Sequence, residues 1–182
     1  MIRKIKNIED KYLNEALDFV EKVFSDSEGE ESGKEVRTLV EEIRRKKYYL
    51  PDLEFIMLDE TDRIIGYIMF SRFHIQGKYE DKLLLLSPVA VKTELQRQHI
   101  SKEMIEYGFE KAIELGYEVV LVEGNPQNYN PRGFKTSCDF GIVAGPNLHL
   151  PAKECLMVKE LIEGALINFK GEVDYSFYDC LT

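Results

Sequence analysis

Residues 83–109, LLLLSPVAVKTELQRQHISKEMIEYGF, hold a strand, a turn and a helix in one pass. Four leucines in succession read as a strand buried in a sheet, covered on both faces. Pro88 breaks the run, the chain turns polar, and a helix opens whose first turn carries Gln96, Arg97, Gln98 and Lys102. A buried strand that hands over to an exposed helix start leaves backbone N–H groups with no intrahelical partner. Those donors, with the positive end of the helix dipole, favour a phosphate-bearing ligand. A second signature, Tyr129-Asn-Pro-Arg-Gly133-Phe134, follows from a different part of the chain.

Working outward, the helix is expected over residues 98–115, closed by Gly116 where a C′ glycine belongs. The apolar segment 117–122 is then a strand parallel to 82–91, joined to it by a right-handed crossover. Upstream, FIML from Phe55 and IIGYIMF from Ile64 flank Asp59-Glu-Thr-Asp62, an antiparallel hairpin. Residues 1–7 form an opening strand. From Asn7, a candidate N-cap, residues Tyr12, Leu13, Ala16, Leu17, Val20 and Phe24 recur at helical spacing. Residues 25–33, acid with Ser and Gly, are expected to form a mobile loop before a second amphipathic helix near 34–47. Beyond Tyr129 the chain reads as irregular, with strands at 155–161 and 171–177. No repeat or second domain appears. The expected architecture is one α/β domain over 1–182, antiparallel early and parallel at its centre.

Composition limits the function classes. With 44% hydrophobic and 31% charged residues the balance is globular. No apolar run approaches the roughly 18 residues that span a bilayer, and the N-terminus lacks a signal-peptide core. A formal charge of −9 argues against a nucleic-acid partner, which needs a basic face. The one basic cluster, Arg44-Arg45-Lys46-Lys47, falls where a helix should end and complements its dipole. Cys138, Cys155 and Cys180 are scattered and odd in number, as reduced structural thiols in a cytoplasm would be. His74, His99 and His149 have no metal-ligand spacing.

The central residues resemble the GNAT superfamily of N-acetyltransferases, especially its bacterial YhbS-like subgroup of predicted acetyltransferases. The family's L-x-P-L-A-V strand corresponds to Leu86-Ser-Pro88-Val89-Ala90-Val91, and its Q-G-x-G-I-G turn to Gln96-Arg97-Gln98-His99-Ile100-Ser101. Its G-D-P-x-Y-Y-x-R-x-G-F is similar to the eleven residues from Gly124 to Phe134. The resemblance runs from about Ile64 to the C-terminus and is faint before that.

It implies a GNAT-like mixed sheet with helices on both faces, whose parallel central pair splays at about residues 88–91. It implies acetyl-CoA as cosubstrate and an amine acceptor, without nucleic acid or membrane. Pantetheine would pair with the main chain at Val89, Ala90 and Val91. The diphosphate would sit on Gln96, Arg97, Gln98, His99, Ile100, Ser101 and Lys102, with Asn125 completing the cofactor set. Tyr129, four residues before Gly133-Phe134, matches the tyrosine that protonates the leaving thiolate. A phenol with an ordinary pKa near 10 is protonated at neutral pH and suits that task.

Two departures matter. His99 and Ser101 stand where the family prefers glycine, or glycine and alanine, which let backbone approach phosphate without a Cβ. The carboxylate that many relatives carry within the central strand is replaced by residues 83–86, all leucine. Glu80, Asp81, Glu123 and a water oriented by Ser87 remain open as the base. These departures set an N-acetyltransferase against a non-catalytic acyl-CoA or small-ligand binder with a degenerate pocket. Acceptor specificity is expected in the least regular regions, 25–50 and 135–155. The acidic run 26–31 reads as a solvated linker, in preference to a cover over the acceptor site. The oligomeric state is not readable.

Overall fold

In the computed structural model, which describes residues 2–181, β1 (Arg3–Asn7) leads into α1 (Leu13–Glu28) and α2 (Glu30–Arg45). The hairpin follows as β2 (Glu54–Asp59) and β3 (Ile64–Arg72), then β4 (Leu83–Val91). The crossover helix α3 (Ile100–Glu114) returns the chain to β5 (Val119–Glu123). A single turn, α4 (Pro126–Tyr129), precedes β6 (Lys135–Thr136), β7 (Ile142–Ala144), β8 (Leu156–Glu160) and β9 (Gly171–Val173). Seven strands form one sheet in the order β1-β2-β3-β4-β5-β8-β6, and β7 pairs with β9 in a separate parallel ribbon. Only β4 and β5 pair in parallel within the large sheet; the other pairs are antiparallel.

Period-2 alternation sends successive residues of β4 to opposite faces. Leu83 and Leu85 pack with Leu17, Val20, Val40 and Ile43 of α1 and α2, while Leu84 and Leu86 pack with Met104, Ile105 and Phe109 of α3. All four leucines are at most 3% exposed, and each fully buried one stabilises by roughly 1.5–3 kcal/mol. The leucine run is thus the wall between two cores. The hairpin turn is built as its sequence suggests: Asp59 Oδ1 accepts from the N–H groups of Thr61 and Arg63, 2.8 and 3.2 Å away. Among the described residues, no helix is long and apolar enough to cross a membrane.

Four expectations need correction. Residues 25–33 are not a loop. α1 runs to Glu28 and α2 starts at Glu30, with a sharp break at Gly29 (φ 102°). The segment has little to bury, but Gly33 lets α2 lie directly on α1: a Cβ there would meet the Glu21 carbonyl oxygen at 2.5 Å. Secondly, the first helix begins at Leu13, because Asn7 is still paired to Phe55 in β1. Thirdly, the C-terminal strand ends at Val173 and joins β7, outside the large sheet. Fourthly, the basic cluster is held by carboxylates rather than by the dipole alone. Arg44 bonds the buried Glu54, Lys46 lies 2.6 Å from Glu42, and Lys47 lies 2.9 Å from Glu80.

Glu42 ties the C-terminal segment to α2. Its carboxylate accepts from the N–H groups of Asp179 and Cys180 at 2.7 and 3.0 Å. Burial pushes its pKa up, but the Cys180 thiol, the Lys46 ammonium and those N–H groups outweigh this and bring it from 4.5 to about 2. Burial and the same carboxylate push the Cys180 thiol up to about 12. A carboxyl lowered on folding stabilises the native state above its unfolded pKa and loses that contribution as the pH falls through its folded one. Urea unfolding should therefore show ~1–2 kcal/mol of stability, discounted for solvent screening, fading as the pH falls from 4.5 to about 2. Glu42→Gln should flatten that slope.

Candidate active site

β4 and β5 part company early. Leu83, Leu84 and Leu85 pair with Val119, Val120 and Leu121, and there the ladder ends. Val122 and Glu123 continue only with β8, opposite Met157 and Leu156. Residues 86–91 continue only with β3, where Ile68 opposes Val89 and Phe70 opposes Leu86. Between those pairs β4 spends Ser87 and Pro88 against the single Met69, a bulge that bends the strand away from β5. Proline, with no N–H to donate, suits that position. The splay expected from Pro88 onward thus opens already at Leu86. Beyond it no strand covers the β5 side of Val89, Ala90 and Val91. The side chains of Ala90 and Val91 are buried in opposite cores, so only main chain faces the gap.

The fork opens on a cavity of ≈ 1160 Å³ on the α1–α2 face of the sheet. Phe24 and Leu39 come from the two helices, Leu85 and Ser87 from β4, Glu123 from β5 and Tyr175 from the C-terminal segment. Its ionisable lining also includes Glu28, His149, Cys155 and Asp174, and among the described residues no lysine or arginine lines it. Asp174 is held below the usual carboxylate range by the Ser176 hydroxyl and N–H. Tyr175 donates to Glu123 Oε2 at 3.0 Å, and burial, then the Glu123 carboxylate, raises its pKa well above 10. Of the open base candidates, Glu80 is taken up by Lys47, and Glu123 and Ser87 face the cavity. The pairing with Tyr175 had no signal in the sequence, because the partners are 52 positions apart.

At the opposite end of the strand–turn–helix unit, a 3-10 turn at Thr93–Leu95 leads through Gln96, Arg97, Gln98 and His99 to α3. Arg97 and His99 both adopt the left-handed conformation, with φ of 63° and 64°. The backbone here has the shape glycines would give it, carried by residues with a Cβ. Nothing in the sequence signals the left-handed backbone at either residue. The N–H groups of residues 97–102 donate to no protein group among the described residues. The imidazole of His99 is exposed and fills nothing. Ser101 Oγ is engaged by Arg132, whose Nη2 donates to it at 2.7 Å. Lys102 is exposed, 3.8 Å from Glu106.

Asn125 is the N-cap of α4, its Oδ1 accepting from the Gln127 N–H at 2.9 Å, and it borders the cavity. That turn presents Tyr129, packed edge-on to Phe134 with ring centroids 5.6 Å apart. A Cβ on Gly124 would meet the Tyr129 ring at 2.6 Å, so only glycine lets the ring lie there. Burial raises the phenol to about 12 against the opposing pull of the Arg132 guanidinium. Its hydroxyl makes no hydrogen bond among the described residues, and Tyr129 is not part of the cavity wall.

The geometry has close counterparts. Residues 4–137 match the profile of the acetyltransferase (GNAT) domain. The uncharacterized N-acetyltransferase YhbS of Escherichia coli K12 is 26% identical over 124 residues, 68% of this chain and 71% of that one. The E. coli YhbS structure in complex with CoA superposes with a TM-score of 0.76 at 20% identity, over 96% of this chain and 88% of that one. A GNAT family acetyltransferase from Brucella melitensis, in complex with acetyl-CoA, gives 0.73 at 18% identity over 100% and 99%.

Proposed function

The chain belongs to the GNAT acetyltransferase family, and from that premise we propose that it moves an acetyl group from acetyl-CoA to a primary amine by direct attack in a ternary complex. The carrying observation is the open β4–β5 fork, flanked by a helix start whose N–H groups at residues 97–102 have no protein partner among the described residues. An unpaired strand edge offers main-chain groups to the amides of pantetheine, as a sheet edge does to an added strand. A helix N-terminus with bare amides suits a diphosphate. Val89, Ala90 and Val91 hold the arm. Gln96, Arg97, Gln98, His99, Ile100, Ser101 and Lys102 hold the diphosphate, and Asn125 keeps the α4 turn beside the arm's thiol end. The donor supplies the activated acyl group.

The chain's own residues do the rest. The cavity holds the acceptor on the far face of the sheet from α3, so amine and thioester meet in the fork in near-attack geometry. Its lining of carboxylates, with no lysine or arginine among the described residues, favours a cationic acceptor. Tyr129, protonated at neutral pH, supplies a proton to the leaving sulfur.

Thermal unfolding with and without acetyl-CoA, followed by turnover with a panel of primary amines, tests this. Saturation at about 100 times the dissociation constant should add ~2.7 kcal/mol. His99→Gly should raise the unliganded stability by about 1 kcal/mol, since a left-handed non-glycine residue costs roughly 1–2 kcal/mol, and should still bind acetyl-CoA. Absence of a ligand shift in both chains would remove the cosubstrate.

A further inference from the structure

The central strand carries no carboxylate at all, so the proton of the acceptor must leave by another route. We infer that Glu123, at the end of β5, receives it, and that Tyr175 is the positioning residue that holds the Glu123 carboxylate toward the fork. The inference rests on the acetyl-transfer reading and adds the residue pair that prepares the acceptor.

Three observations converge. Glu123 is the last residue of β5, two beyond the final rung shared with β4, so it stands where the strands separate. It faces the same cavity as Ser87, the β4 bulge residue on the other side of the gap. Its Oε2 accepts from the Tyr175 hydroxyl at 3.0 Å, and no cation pairs with it among the described residues. Glu123 is exposed, and without a partner its side chain would be free to rotate into water. It is held from the cavity side by a phenol, which leaves its remaining acceptor positions for an ammonium group. The phenol is a donor at working pH, since burial first and Glu123 second keep it protonated. The other ionisable groups that line the cavity around Glu123 are Asp174 beside Tyr175, Glu28 of α1, His149 and Cys155. All but the histidine and the thiol are carboxylates, so the surroundings attract a cation.

The step balances as follows. The acceptor ammonium gives one proton to the Glu123 carboxylate. The freed nitrogen lone pair forms the C–N bond to the acyl carbon while the C–S bond breaks, and the departing thiolate takes the Tyr129 proton. The second nitrogen proton restores the Tyr129 phenol, and Glu123 releases its proton to solvent. The products are the amide, the free thiol and one proton.

The experiment uses the full chain loaded with CoA, its glutamates carrying 13C at the side-chain carboxyl, with Glu123→Gln to assign the signal. n-Butylamine, 1,4-diaminobutane and Nα-acetyl-lysine amide are the probes, and turnover of acetyl-CoA with the same amines is measured against pH. Amine addition should shift the Glu123 signal. Glu123→Gln should lower kcat at least about 100-fold at neutral pH and recover as the pH approaches the amine's own pKa, with the KM for acetyl-CoA unchanged. Tyr175→Phe should keep the fold and lower kcat at neutral pH with the KM for acetyl-CoA unchanged, because the carboxylate loses the donor that holds it toward the fork. An unmoved Glu123 signal with every amine, a Glu123→Gln chain with the wild-type pH profile, or a Tyr175→Phe chain with wild-type kcat overturns the assignment. A shifted signal without turnover by any chain supports Glu123 as the amine's partner and instead overturns the acetyl-transfer reading.

Discussion

Tyr129→Phe should bind acetyl-CoA as tightly as the native chain and turn over amine about 10²–10⁴-fold more slowly, the range for a positioned general acid. The substitution removes one oxygen and no packing. The ring is fixed by Gly124 beneath it and by Phe134 at its edge, and phenylalanine makes both contacts. The hydroxyl forms no hydrogen bond among the described residues, so its loss orphans no partner and costs little stability. What disappears, on the proposed mechanism, is the proton source for the leaving sulfur. Burial lifts the phenol to about 12, which keeps the proton in place at neutral pH until charge builds on the departing sulfur. Isothermal titration with acetyl-CoA and steady-state kinetics on both chains provide the check. Turnover within a factor of about three of wild type would take Tyr129 out of the chemistry, since no general acid contributes so little.

How much of this was legible in the sequence depends on how local the cause was. The leucine run, Pro88, the polar turn and Gly116 each act on their own neighbours, and strand, bulge, helix and stop all lie where those residues put them. The hairpin turn is equally local, because Asp59 caps it through its own side chain. The failures have long-range causes. Residues 25–33 lack apolar content and read as a loop, yet helix-on-helix contact at Gly33 fixes them. The C-terminal segment has no period of its own. It is placed by Glu42, 137 residues away from the Asp179 N–H it holds, and it brings Tyr175 to Glu123. At the candidate site, the sequence named Tyr129 and the turn residues because they lie within two short motifs. The cavity wall draws on α1, α2, β4, β5 and the loops after them, and no window of sequence contains it.

Arg132 ties those two motifs together, and its replacement is the other substitution expected to act strongly. Arg132→Met should weaken acetyl-CoA binding about 10–100-fold, since a charge-assisted hydrogen bond is worth roughly 1.5–3 kcal/mol. Its guanidinium donates to Ser101 Oγ in the first turn of α3 and to the Asn128 carbonyl in α4, while Nε is buried without a partner among the described residues. A cation is thus held against the positive end of a helix, which costs about 0.3–1 kcal/mol by itself. A diphosphate on the bare amides of residues 97–102 reverses the sign of that interaction. The same contact explains the Ser101 departure from glycine or alanine: the hydroxyl is turned to Arg132 and leaves the amides clear. The unliganded variant should melt below the native chain, because relief at the helix end offsets only part of the lost hydrogen bonds, and a further deficit should appear with ligand. Raising the salt should narrow the gap between the two chains, as screening weakens a partly exposed charge pair. Ser101→Ala separates the two roles of Arg132. If the guanidinium meets phosphate itself, removing the hydroxyl costs little; if it merely orders Ser101, the alanine variant loses as much affinity as Arg132→Met.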